Sequence, residues 1–121
     1  MPYMLLIMEP IGQRAERGLA GGQEACARML RFGEGLQARG LLRASESLAS
    51  TDEAVRLQVR EGQARLVDGP FAETKEMLGG FFLLDCATRA EAIAIARDCP
   101  AAEWATLEVR EVAPCYQGVV D

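Results

Sequence analysis

The chain contains no histidine among its 121 residues. That absence removes the imidazole base, the His-ligated haem and metal sites built on two or three imidazoles. It also removes the side chain that ordinarily changes charge near neutral pH. Blocks of positive charge are missing too: 13 Lys and Arg stand scattered against 18 Asp and Glu, for a net charge of −5. Wrapping nucleic acid needs a positive footprint, so no nucleic-acid partner is expected. The four cysteines, Cys26, Cys86, Cys99 and Cys115, include no C-x-x-C pair, which argues against a zinc ribbon or a thioredoxin-like redox motif. No metal and no cofactor is expected. Free thiols in a reducing cytoplasm follow, most of them buried and inert, with Cys115 beside Pro114 the one expected at the surface. The opening segment Met1–Met8 has no basic stretch before it, and Glu9-Pro10 interrupts it well short of a membrane span. Neither a secretory leader nor a membrane partner is expected, and a cytoplasmic location is.

Half of the residues are apolar, enough to build a core, and the length fits one domain over residues 1–121. A chain of this size often gains core by pairing with a second copy. Tyr3 to Met8 is a continuous apolar run, read as a buried central strand. Gln13 to Gly22 reads as a polar loop. Gln23 to Arg39 reads as a helix with Cys26, Met29, Leu30, Gly33 and Leu36 on its inner face and Gly40 as its stop. Leu41 to Leu48 is expected as a strand. Val55, Leu57 and Val59 alternate with Arg56, Gln58 and Arg60, and a turn at Glu61-Gly62-Gln63 leads to a partner strand over Ala64–Val67. Leu78 to Cys86 is another apolar strand. Thr88 and Glu91 form a capping box for a second helix that Pro100 ends. Leu107 and Val109 mark a last half-wet strand. Strand, helix, strand, hairpin, strand, helix, strand is the α+β, ferredoxin-like βαββαβ plan with an inserted hairpin. Its second sheet face would be left bare and apolar, and another subunit is the simplest cover.

The chemistry concentrates in Asp68-Gly69-Pro70-Phe71-Ala72-Glu73-Thr74-Lys75-Glu76 and the strand that follows. Asp68 stands at a strand end, where a neighbouring apolar wall would favour service as a general base. Phe71, Phe81 and Phe82 are candidates for that wall. Lys75 is the candidate partner for an anionic substrate or a developing enolate, with Glu73 as its neighbour. Gly33 is a candidate for leaving room against the first helix. Each residue also has a purely structural reading. Asp before Gly-Pro is a common turn former, Glu73 and Lys75 suit a solvated edge or a dimer contact, and Gly33 suits close helix–sheet packing. Tyr3 and Tyr116 are further candidates; Trp104 reads as a packing anchor, with an interface role as the alternative.

The Asp68–Glu76 motif, Leu78-Gly79-Gly80-Phe81-Phe82, the Ala-rich helix ending at Cys99-Pro100 and the opening Tyr3–Ile7 together resemble the DGPF branch of the YciI-like family. The resemblance runs over essentially the whole chain and is strongest from Asp68 to Asp85. It implies a dimeric α+β barrel of two face-to-face sheets, with a cleft between sheet and helices. Related barrels host cofactor-independent isomerases, dehydrochlorinases and oxygenases. It equally allows a non-catalytic homodimer that binds a small molecule or a protein such as an extracytoplasmic-function sigma factor. Several relatives carry a histidine near the position of Gly33, so a His–Asp pair cannot be carried over to this chain.

Overall fold

The computed structural model describes residues 2–115. Six strands and two helices follow one another: β1 (Tyr3–Pro10), α1 (Gln13–Ala38), β2 (Leu42–Ser47), β3 (Val55–Arg60), β4 (Gln63–Asp68), β5 (Glu76–Leu84), α2 (Arg89–Asp98) and β6 (Thr106–Glu111). Single turns of 3₁₀ helix lie at Thr51–Glu53 and Pro100–Glu103. Strands β2, β5, β1 and β6 pair in that order into one antiparallel sheet, while β3 and β4 pair only with each other. This is the strand order of a ferredoxin-like α+β fold carrying an extra hairpin between β2 and β5.

The central strand β1 is apolar on both faces, because helices cover one face and the other still carries Met4, Leu6 and Met8. Tyr3, Leu5, Ile7 and Glu9 are buried and the residues between them only half-buried, the period of two that a pleated strand imposes. Tyr3, Leu5 and Ile7 join Phe82 and Leu84 of β5, Leu36 of α1 and Ala92, Ile95 and Ala96 of α2 in one core. Both helices therefore pack on the same sheet face. The Thr88 half of the expected capping box forms at α2, and Glu91 reaches back one residue further, to Ala87. Thr88 Oγ1 accepts from the Glu91 N–H at 3.1 Å, and the Glu91 carboxylate accepts from the Ala87 N–H at 3.3 Å.

Two expectations need correction. The stretch Gln13–Gly22, expected as a loop, is helical and forms the first turns of α1. It is interrupted only at Gly18, whose φ of 73° lies in the left-handed region that glycine tolerates and other residues resist. Glycine disfavours helix by about 1 kcal/mol per residue; the contacts that hold this stretch are polar, Gln13 to the Trp104 carbonyl and Arg14 to Glu9 and the Gly79 carbonyl. The inner face of α1 is also rotated from the expected one. Leu36 is buried and Met29 and Phe32 pack on the core, whereas Leu30 is 63% exposed and Cys26 is exposed.

Candidate functional site

A cavity of about 570 Å³ opens between α1 and the sheet, within the range of small-molecule sites. Its floor comes from β1 and β5, its roof from α1, and one end is closed by Trp104. The floor is built by register. Glu9 continues the inward series Tyr3, Leu5, Ile7 and is only 6% exposed. A β-bulge sits opposite: Ile7 pairs with Gly80 and Met8 with Leu78, so Gly79 is the extra residue. A Cβ on Gly79 would stand 2.6 Å from Glu9 Cδ and under 3 Å from both carboxylate oxygens. The bulge and the missing side chain together make the space in which the Glu9 carboxylate lies.

Arg14, from the first turns of α1, meets that carboxylate. Its Nε lies 2.5 Å from Glu9 Oε1, and its Nη2 donates to the Gly79 carbonyl at 3.4 Å. The Nε–H is not aligned with Oε1, so this buried oxygen has an ionic neighbour but no hydrogen bond. One turn along, Arg17 donates from Nη2 to Gln13 Oε1 at 2.9 Å and lies 5.3 Å from the centre of the Trp104 ring. Gln13 in turn donates to the Trp104 carbonyl at 2.7 Å. Arg28 also lies over that ring, at 5.4 Å, and pairs with Glu103 at 2.5 Å. That hydrogen bond holds the Glu103 carboxyl below its ordinary range.

The apolar wall is Met29, Phe82 and Ile7, with Ser45 and Ser47 along the β2 side. Phe32 meets Phe82 edge-on, ring centres 5.2 Å apart. Cys26 borders the cleft from α1, while burial pushes the Cys86 and Cys99 thiols up.

Of the residues singled out in the sequence, Gly33 and Phe82 border this cleft; Phe81 also reaches its lining, but it pairs with Leu6 and its side chain shares the opposite sheet face. A Cβ on Gly33 would touch Phe82 Cε1 at 3.5 Å, an ordinary contact. Asp68, Glu73 and Lys75 are exposed and are not among the cleft's lining residues. They belong to the base of the β3–β4 hairpin. There Gly69 presses so closely on the Thr51 carbonyl that no side chain fits, and its N–H donates to Ala54 O at 2.7 Å. The Gly69–Pro70 peptide is cis. Phe71 lies under the Arg56 guanidinium at 3.8 Å, and Arg56 Nη2 donates to Thr74 Oγ1 at 3.4 Å. The Lys75 carbonyl accepts from the Ile11 N–H at 2.9 Å. The motif thus ties the hairpin to the sheet, and Asp68, Glu73 and Lys75 share the hairpin base rather than the cleft. Tyr3 is buried and donates weakly to Glu111 at 3.4 Å; Tyr116 lies outside the described residues.

Sequence reasoning missed Glu9, Arg14, Arg17 and Gln13. The signal for Glu9 was its odd-numbered place in the series Tyr3, Leu5, Ile7, and Gly79 supplied a second hint.

A family model for the YCII-related domain matches residues 1–115. The chain belongs to this family. The DGPF-type motif is a finer feature consistent with it. Among curated proteins, an uncharacterised protein, R00369, of Rhizobium meliloti (strain 1021) is 47% identical over 68 residues, covering 54% of this chain and 55% of that protein. The match spans about half the length of this curated relative. Among the described residues of this YCII-related domain, no helix is long and apolar enough to cross a membrane.

Proposed function

We propose that this YCII-related protein is a cofactor-independent small-molecule enzyme of the isomerase or lyase type, with Glu9 as its proton-transfer group in the α1–sheet cleft. One observation carries the reading: Glu9, a nearly buried acid on the lining of the cleft, has one carboxylate oxygen enclosed beside Arg14 with no hydrogen bond of its own. Burying a polar atom without a hydrogen bond is costly, of order 1–3 kcal/mol. A bound molecule that presents a proton to the Glu9 carboxylate, with Arg14 shifting to let it in, removes that cost. The chemistry this suits is removal of a proton beside a carbonyl. The C–H bond breaks, the proton passes to Glu9, and the electron pair moves to the carbonyl oxygen as an enolate that Arg14 steadies. Return of the proton to a different carbon gives isomerisation, and departure of a neighbouring leaving group gives elimination.

The experiment is a screen for deuterium uptake. Small keto acids and lactones are incubated with the protein in D₂O, and label at the carbon next to the carbonyl is read by NMR. Wild type is expected to accelerate exchange for a subset, and Glu9→Gln to lower that rate about 10²–10⁴-fold while ligand-induced thermal stabilisation persists. Binding without exchange in wild type would favour a non-catalytic binding protein.

We further propose that the working form is a homodimer closed over the sheet face opposite the helices. Met4, Leu6, Met8, Phe81 and Leu83 occupy that face and belong to no part of the helix-covered core. The hairpin adds Val55, Leu57, Val59 and Leu66 on one side, each more than half exposed. A second copy would bury both surfaces, as in the dimeric α+β barrel that the family resemblance implies.

A further inference from the structure

We infer that the cleft selects an anion with an apolar body, and that Arg17 is the residue that chooses it. The inference rests on the reading of the cleft as a small-molecule site and adds the chemical class of the molecule. Arg14 and Arg17 both line the cavity, but their charges are differently disposed. Arg14 is taken up by Glu9. Arg17 has no carboxylate partner among the described residues, whose ion pairs are Arg14–Glu9, Arg28–Glu103, Arg43–Asp85 and Arg110–Glu108.

Arg17 is nevertheless held in place. Gln13 accepts from its Nη2 with one end of the amide and donates to the Trp104 carbonyl with the other. The Trp104 ring lies beside the guanidinium. A planar fork fixed by a neutral amide and an aromatic ring, with donors left over, is arranged for a carboxylate that comes from outside the chain. The acidic residues Glu34 and Glu46 also border the cavity. Glu34 lies about four turns beyond Gly18 along α1 and Glu46 on β2 opposite Phe81, whereas two guanidiniums, Arg17 and Arg28, meet at the Trp104 ring with one carboxylate, Glu103, between them, so that end is the positive one. A ligand seated with its carboxylate there lays its body along Met29 and Phe82 and brings its reactive carbon toward Glu9. Gln13 is a positioning residue in this arrangement.

The chain's single tryptophan is Trp104, so its fluorescence reports on the anion end of the cleft directly. Phenylacetate and 3-phenylpropionate are titrated against their neutral amides, with thermal shift as a second readout. Wild type, Arg17→Gln, Arg17→Lys and the distant surface variant Arg43→Gln are compared. In wild type and Arg43→Gln, each carboxylate is expected to bind at least tenfold more tightly than its amide. In Arg17→Gln the preference falls below twofold. Arg17→Lys, which keeps the charge but not the fork, lies between, and it carries the test if the glutamine variant does not fold. Amides binding as well as carboxylates to wild type would overturn the anion assignment while leaving Glu9 in an occupied cleft. A carboxylate preference that survives in Arg17→Gln would overturn the role of Arg17. Failure of both classes to bind would overturn this inference and the small-molecule reading beneath it.

Discussion

Glu9 is an acid at a position where the strand's alternation calls for an apolar side chain. It is tolerated because Gly79 vacates the space and Arg14 supplies the opposing charge. A buried charge of this kind adds little to stability by itself, which is the ground on which a chemical role is proposed for it. Gly79→Ala tests the packing half of this statement. The new methyl would meet the Glu9 carboxyl carbon at 2.6 Å, so the carboxylate must leave its place. The expected cost is about 1–3 kcal/mol in urea unfolding, as for other overpacked sites, together with loss of Glu9-dependent exchange. Unchanged stability and exchange would mean that the Glu9 pocket is looser than described. Asp68 illustrates the opposite case. Its motif was the most conspicuous feature of the sequence, yet Gly69 and Phe71 within it are engaged with Thr51 and Arg56 at the root of a hairpin.

Most elements could be read in advance from local patterns. The β3–β4 hairpin, the α2 capping box and the four sheet strands each announce themselves over a few residues. The beginning of α1 did not, since Gly18, Gly21 and Gly22 suggest a loop and the polar contacts of Gln13 and Arg14 that anchor the stretch are made only after folding. The candidate cleft was hidden with it. Gln13, Arg14 and Arg17 all lie in the misread segment, and Glu9 hides because both faces of β1 are apolar and mask its period of two. Gly33 lies farther along the same helix. The space beside it accepts a methyl group, with Phe82 Cε1 at 3.5 Å, and Gly35 has nothing within 4 Å. Gly33→Ala and Gly35→Ala are each expected to stabilise the fold by about 1 kcal/mol from helix propensity, seen as a rise of a few degrees in Tm. Only Gly33→Ala should also weaken ligand binding, because only it lines the cleft. A fall in Tm for Gly33→Ala would show that the helix lies closer to Phe82 than described.

At the scale of the molecule, the helices cover one sheet face and leave the other with its own apolar row. The hairpin extends a second apolar surface, which joins no core among the described residues. Such a protein is expected to have a mass in solution of twice 13.1 kDa by light scattering. Leu6→Lys and Leu83→Lys, placed on the open face, should shift it to the monomer without unfolding it. A monomeric wild type would contradict the paired form. The overall βαββαβ order was legible because each element is specified locally. What closes over the sheet was not, because it depends on surfaces that meet only after folding.

The central claim is that the working carboxylate is Glu9 in the cleft and not Asp68 at the hairpin base. It is tested most directly by measuring deuterium uptake into one exchanging keto acid with wild type, Glu9→Gln and Asp68→Asn under identical conditions. The account predicts that Asp68→Asn keeps the wild-type rate within about threefold and that Glu9→Gln falls by two orders of magnitude or more. Loss of exchange in folded Asp68→Asn, with Glu9→Gln unaffected, would contradict it.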